Sequence, residues 1–465
     1  MSASNARTRR SHGAEKKWTR ALLAATAMVV LVGCWAVPVD SATPAQASAA
    51  ATTTGAAATK CPRGTGSGVT AKQITVAATV IDISGNSLNN ASFGVPSVAD
   101  QESDWKLVAA NINKAGGIGC RHVALDLYTV NSFDASAAQQ TCLNIAATHP
   151  FIVLDPGVLT EIGASDCLPA HKVPLASEYL TEAQLDQYHP YYLQIGDLPE
   201  DIVHNGILGL KQLGYFKASK GFRKIGVLYH TCTTALQTAE SSALKVAATP
   251  SRDIVDYNLG CPTGTDTPAS LEQAVLNFKN AGVTDVLMLE ITDGGVFTQI
   301  AQQQNFKPQY LFAEDDTATN VSTGATAPNP ANYNDAVDVL GSAYGEQSTP
   351  GYAPSGGTQK CDAMYKAAGK PAVYAQTTGF PGVICDYLWF AQALLSHATT
   401  FQASAFPHDM RAMGTVAFSY PFAPTNFAAA PADSTYGVDF WRAAIYHASC
   451  KCWQVPNATF HPPFK

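Results

Sequence analysis

Short apolar runs and helical stripes alternate along the middle of this chain. Ile74 to Val80 is a β-branched apolar run that ends at Asp82, Ser84 and Gly85, the pattern of a strand leading into a turn. Trp105, Val108, Ala109 and Ile112 follow at i, i+3, i+4 and i+7, which places them on one face of a helix. Gly116 and Gly117 close that helix, as glycines past a C-terminus do. Val123 to Val130 predicts a second strand, Ala135 to Ala147 a second helix and Phe151 to Leu154 a third strand. The rhythm returns in Lys224 to Tyr229, a strand. A helix carrying Leu271, Ala274, Val275 and Phe278 comes next, then strand Val286 to Leu289, helix Val296 to Gln304 and strand Tyr310 to Ala313. Such alternation predicts an α/β chain with parallel sheets and helices on both faces. Pro- and Gly-rich stretches at Thr317 to Pro330 and Ser348 to Gly357 mark breaks. Beyond Phe401 the pattern loosens into Pro-rich loops and a Cys450/Cys452/Trp453 tail.

The start of the chain follows a different pattern. Basic residues end at Arg20 and an apolar run from Ala21 to about Val32 follows, shorter than the ~20 residues of a membrane span. Residues 1–33 therefore read as a secretory signal peptide, and residues 34–70 as a flexible linker. Two cleavage readings stay open. Leu31-Val32-Gly33-Cys34 is similar to a bacterial lipobox, which would lipidate Cys34, whereas small-x-small patterns around Ala45 to Ala49 suit ordinary cleavage near residue 49. The exported protein is then either tethered at the outer face of the membrane or secreted.

Charge and cysteine usage narrow the class. The 465 residues are 46% hydrophobic and 14% charged, with a formal net charge of -7. Arg7, Arg9, Arg10, Lys16, Lys17 and Arg20 against Glu15 give the leader a net +5, so the remainder stands at -12, which disfavours nucleic acid as a partner. Apart from Cys34, ten of the eleven cysteines remain, an even number suited to disulfides in an oxidising compartment. Sequential pairing predicts Cys61–Cys120, Cys142–Cys167, Cys232–Cys261 and Cys361–Cys385. Cys450 and Cys452 are left to each other or to other partners. C-x-x-C, H-E-x-x-H, G-x-S-x-G and phosphate-loop motifs are all absent, so no metal, cofactor or catalytic residue is expected and the chain reads as a binder instead of an enzyme.

Four segments in order resemble the branched-chain amino-acid-binding (Leu/Ile/Val-binding) family of type I periplasmic solute-binding proteins of ABC transporters. They are Ile112-Asn113-Lys114-Ala115-Gly116-Gly117-Ile118 with the strand Val123 to Tyr128, the strand-to-turn Phe151 to Gly157, Tyr192 to Asp201 followed by KIGVLY, and Ser270 to Leu289. The resemblance implies two Rossmann-like lobes joined by a three-strand hinge, with residues 71–196 and about 318–414 in lobe one. Residues 197–317 and about 415–465, with the tail, would form lobe two. It also implies a monomer that closes over a small-molecule ligand and docks on an ABC permease. A surface ligand sensor of the same fold, signalling to a membrane receptor, is the alternative.

The ligand would lie at the strand tips, where open parallel sheets bind ligands. The candidate contacts are Ser84, Gly85, Val158, Tyr179 and Thr181 in lobe one, and Tyr229, Thr292 and Asp315 in lobe two. In relatives that take amino acids, hydroxyls and backbone N–H groups meet the ligand carboxylate. By position, two such hydroxyls fall on Val158 and Leu159, which have none, while Thr181 keeps one. An aromatic position falls on Thr234, and Asp315 stands where the ammonium-binding carboxylate is expected. The ligand class is therefore an amino acid or a less polar analogue. Thr181 equally suits a helix cap, with Glu182 and Gln184 after it.

Overall fold

The strands form two main sheets, in which those expected from the sequence are joined by others. In the first, β1 (Gln73–Asp82), β2 (His122–Asn131), β3 (Ile152–Asp155), β4 (Leu175–Ser177) and β5 (Tyr192–Gln194) run parallel in the order β2-β1-β3-β4-β5. In the second, β6 (Ile225–Tyr229), β7 (Ile254–Asn258), β8 (Asp285–Met288), β9 (Gln309–Phe312) and β10 (Val337–Leu340) run parallel in the order β7-β6-β8-β9-β10. The second sheet thus repeats the strand order of the first. A small antiparallel pair, β11 (Thr415–Val416) and β12 (Thr425–Asn426), stands apart. Two antiparallel strands, β13 (Arg442–His447) and β14 (Cys452–Gln454), extend the second sheet beyond β10. The computed structural model describes residues 61–83, 95–131, 134–161, 163–230, 234–247, 249–260, 268–289, 294–313, 328–333, 335–341, 348–351, 356–373, 379–419, 424–457 and 459–464. The leader, Cys34 and most of the linker lie outside these.

Helices connect the strands: α1 (Val98–Lys114), α2 (Ala135–Thr148), α3 (Val158–Glu161), α4 (Cys167–Ala170) and α5 (Glu182–Gln187) in the first half. The second half has α6 (Pro199–Gln212), α7 (Thr234–Val246), α8 (Pro268–Ala281), α9 (Gly294–Gln303) and α10 (Pro330–Tyr333). Beyond them come α11 (Gly356–Ala367), α12 (Phe380–His397) and α13 (Phe406–Met413), of which α11 and α12 return to lie against α1. Strand pleating divides β1 between two cores. Val76, Ala78 and Val80 face Trp105, Val108 and Ile112 of α1, while Ala77 faces Cys142 and Ile145 of α2. Ser97 caps α1 by accepting from the Asp100 amide at 3.2 Å. Gly117 turns the chain back toward β2 at φ +80°, where a Cβ would stand 1.9 Å from the Arg121 carbonyl oxygen, so only glycine fits.

Two expectations need correction. The stretch 318–414 does not belong wholly with the first sheet, because β10 supplies the fifth parallel strand of the second. The expected loops and tail after Phe401 contain α13, β13 and β14 instead. In β13, Arg442, Ala444 and Tyr446 point inward in strict alternation, a period hidden in the sequence by the arginine and the small alanines. The disulfides Cys61–Cys120, Cys142–Cys167, Cys361–Cys385 and Cys450–Cys452 are formed. Cys232 and Cys261 fall outside the described residues, although β6 and β7, which precede them, end in register with Tyr229 opposite Asn258.

The chain passes between the sheets three times: from β5 into α6, from β10 to α11, and from α13 to β13. The first and third passes are bonded to each other. The Gln194 amide donates to the Thr435 carbonyl and Gly437 to Gly196, both at 2.8 Å. Next to them, the Asp197 N–H donates to Asp439 Oδ2 at 3.1 Å and the Asp439 N–H to Asp197 Oδ2 at 3.4 Å, while Thr425 Oγ1 donates to Asp439 Oδ1 at 2.5 Å. Both carboxyls are buried. Burial pushes Asp439 up to about 7, and burial, reinforced by the charge of Asp439, pushes Asp197 up as well.

Two outcomes are expected. Replacing Cys142 and Cys167 together by alanine should cost about 3 kcal/mol, because their bond closes a separation of 25 residues between α2 and α4; denaturant unfolding measures it, and an unchanged midpoint would contradict the bond. An unfolded carboxyl titrates near ~3.9. With folded-state values raised, the folded chain binds more protons than the unfolded one between about pH 4 and pH 7, so stability from this pair falls as pH rises through that window. Asp439→Asn should flatten the dependence of the unfolding midpoint on pH between pH 5 and 8, and a slope like that of the parent would assign the dependence elsewhere.

Candidate functional site

In a sheet ordered like β2-β1-β3-β4-β5, consecutive connections leave β1 and β3 in opposite directions, and the crevice between their tips is where ligands bind. The second sheet has the equivalent point between β6 and β8. The expected contacts were drawn from these tips. Ser84 and Gly85 follow β1, Thr292 follows β8 and Asp315 follows β9, and all four lie outside the described residues. Val158, Tyr179, Thr181 and Tyr229 are described, and they fall in different settings.

Val158 is 2% exposed and packs with Val153, Leu159 and Leu180 inside the first sheet's core. Thr181 caps α5 in a reciprocal capping box. Its N–H donates to Gln184 Oε1 at 2.9 Å and its hydroxyl to the same oxygen at 3.0 Å, while the Gln184 N–H donates back to Thr181 Oγ1 at 3.4 Å. That hydroxyl is already engaged in local structure. Tyr179 is half-buried just past the tip of β4.

Tyr229 ends β6 and lines a groove of about 460 Å³ between α7 and β7, with Gln237, Glu240, Ser241, Lys245 and Asp256. β7 is the outermost strand on that side of the sheet. Glu240 is 4% exposed and accepts from Ser241 Oγ at 3.1 Å. Burial first, then the charge of Asp256, pushes Glu240 up to about 7, so a substantial share of it is protonated near neutrality. Asp256 is raised by its own burial, and Tyr229 by burial and by both acids. The groove is therefore polar, lined by hydroxyls, an amide and three ionisable side chains.

The sequence reading missed the group that organises the β3 tip. Asp155 is fully buried; it accepts from Thr79 Oγ1 at 2.6 Å, from the Leu159 N–H at 3.1 Å and from the Thr160 N–H at 3.2 Å. Thr160 and Ser177 hydroxyls meet at 3.0 Å beside it, and Tyr387 of α12 donates its hydroxyl to the Asp155 carbonyl at 2.9 Å. Burial raises the Asp155 carboxyl above its ordinary range despite these bonds. The consequence is chemical: the amides of Leu159 and Thr160, which an open turn would offer to an anion, are taken by a side chain of the protein itself. The only signal for this in the sequence is an acidic residue directly before Pro156 and Gly157 at a strand end. Among the described residues, no group of three or more His, Cys, Asp or Glu side chains is placed to hold a metal ion, and no helix is long and apolar enough to cross a membrane.

No family model and no curated protein sequence matches the chain. Solved structures do match in shape. A fatty acid ABC transporter substrate-binding protein from Thermomonospora curvata aligns at a TM-score of 0.59 and 13% identity, over 86% of this chain and 94% of its own. A leucine-binding protein from Thermotoga maritima gives 0.59 and 12%, over 84% and 99%. A solute-binding protein of an ABC transporter from Rhodopseudomonas palustris, in complex with 3,4-dihydroxybenzoic acid, gives 0.58 and 11%, over 84% and 98%. Identities this low speak for architecture. Two parallel sheets of the same strand order, linked by three passes of the chain, give this protein the type I periplasmic-binding-protein fold.

Proposed function

We propose that the chain is an extracytoplasmic substrate-binding protein of an ABC uptake transporter, closing as a monomer over one small organic solute and presenting the closed form to a membrane permease. The observation that carries this is the repeated strand order with its two switch points, in an architecture shared with substrate-binding structures. The basic and apolar leader supports export, either with Cys34 lipidated or with the chain freely secreted. One lobe takes β1 to β5 with α11 to α13, and the other takes β6 to β10 with β13 and β14. Solute contacts made only in the closed form shift the equilibrium toward closure, and binding ends without turnover.

The solute is an amino acid or a less polar analogue. Asp155 occupies the amides of the β3 turn, so a carboxylate on the solute finds its partners elsewhere, on the loop after β1 with Ser84 and Gly85. Tyr179 and Tyr229 supply rings, and Thr292 and Asp315 supply polar contacts from the second sheet.

Thermal denaturation of the mature chain against amino acids, amides, aromatic acids and fatty acids tests this. A true ligand at 100 times its Kd should add about 2.7 kcal/mol of stability, with a smaller radius of gyration by X-ray scattering. A panel in which nothing stabilises or compacts the protein defeats the proposal. Thr181→Val should lower stability by about 1 kcal/mol through the lost cap while leaving solute affinity unchanged. Asp315→Ala should weaken a cationic solute at least tenfold, on the order of 1.4 kcal/mol. Titration calorimetry separates the two variants, and equal affinities for parent and Asp315→Ala would remove Asp315 from the site.

A further inference from the structure

The hairpin at the end of the second sheet carries a disulfide unlike the others. Cys450 and Cys452 are joined across one intervening residue, in the turn between β13 and β14 where His447 pairs with Cys452. The other described disulfides span sequence separations of 59, 25 and 24. Conformational restraint of the unfolded chain grows with loop length, so this short link contributes least to stability. Cys450 is exposed and Cys452 half-buried, whereas Cys142, Cys361 and Cys385 are fully enclosed. Lys451 between them is exposed and holds φ +55°, a left-handed conformation uncommon for lysine.

A donor faces both sulfurs. Gln454 lies two residues after Cys452, on the same face of β14, and its Nε2 stands 3.8 Å from Cys450 Sγ and 3.8 Å from Cys452 Sγ. An amide N–H there, with the Lys451 ammonium adjacent in sequence, favours a thiolate over a thiol as a sulfur departs. Trp453, between the two, points to the opposite face and is buried against Tyr446, so the hairpin keeps its anchor when the sulfurs separate.

We propose that Cys450–Cys452 is a thiol–disulfide exchange site that oxidises an external dithiol. A thiolate of the dithiol attacks Cys450 Sγ, the S–S bond breaks, and Cys452 leaves as a thiolate held by Gln454. The second thiolate of the dithiol then attacks its own sulfur in the mixed disulfide and releases Cys450. The dithiol gives up two electrons and becomes a disulfide. Cys450 and Cys452 accept those electrons and the two protons, ending as thiols. Exposed disulfides are the labile ones on general grounds, and a link across one residue restrains the chain least. This inference stands apart from solute binding.

The test uses the intact oxidised protein, limiting dithiothreitol, alkylation and peptide mass spectrometry. Cys61 and Cys120 are also exposed, so their long-span disulfide is an internal control for access. The Cys450/Cys452 peptide should label at least tenfold faster than the Cys61 and Cys120 peptides, with the unfolding temperature of the reduced protein nearly unchanged. A reduced two-cysteine peptide should become oxidised by one equivalent of protein, and the double variant Cys450→Ser/Cys452→Ser should not oxidise it. Gln454→Leu should slow reduction about fivefold and, in the reduced protein, move the pH profile of Cys452 alkylation upward, a change that loss of hairpin packing alone would not produce. Labelling no faster than the Cys61–Cys120 control, or only in denaturant, would overturn the proposal, as would a peptide that stays reduced.

Discussion

The architecture depends on how two passes of the chain are held together where they cross between the sheets. Backbone bonds between residues 194–196 and 435–437 bring the strands side by side, and the paired carboxyls of Asp197 and Asp439 each accept the other's N–H. A buried carboxylate needs donors, and two of them side by side repel unless one is protonated. Raised pKa values at both residues are the expected response. This crossing fixes where α6 starts and where β13 begins. α6 then lies tightly on the second sheet because it presents glycines there: a Cβ on Gly206 would stand 2.5 Å from the Ala313 Cβ, and one on Gly209 would stand 2.6 Å from Val339 Cγ1. Close helix-to-sheet packing and the pinned crossing are thus parts of one joint.

From that joint the rest follows by repetition. Each sheet is built outward from a central strand, first to one side and then to the other, and each therefore has a single place where neighbouring connections diverge. Parallel pairing puts the C-terminal tips of β1 to β5 at one edge of the first sheet and those of β6 to β10 at one edge of the second, so the loops that follow them gather there. β10 is the strand that completes the second copy of this order, which is why it sits with the second sheet despite following the long polar break after β9.

Much of this was legible in the sequence, and what escaped has physical causes. Continuous apolar runs mark β1, β3, β6, β8 and β9 because both faces of a buried parallel strand are covered, the edge strand β2 shows a looser run, and the observed bounds of all six fall within two residues of the expected ones. Three of the four expected disulfides are present and the fourth lies outside the described residues. β13 escaped because a buried arginine occupies an inward position, which a hydrophobic pattern scores as solvent. The site was harder. Thr181 and Val158 stand at the right places in the order of elements, yet one hydroxyl is spent on a cap and one side chain on the core. Asp155, Tyr387 and the Asp197–Asp439 pair depend on contacts across 232 and 242 residues of sequence, beyond the reach of any local pattern.

The β3 tip is also held from within the protein. Asp155 satisfies the turn from within, and Tyr387 reaches in from α12 to hold the same strand end, so this part of the first sheet is rigid and already saturated with hydrogen bonds. A polar group that is fully bonded inside the protein gains little by exchanging partners with a solute, and stripping it would leave a buried carboxyl without donors. The amides of Leu159 and Thr160 are therefore held by the protein's own carboxyl and are not open to an incoming anion. The same architecture accommodates leucine, fatty acid and 3,4-dihydroxybenzoic acid in other proteins at 11–13% identity to this one. Connecting loops tolerate change more readily than the strands they join, so one arrangement of strands can serve different solutes.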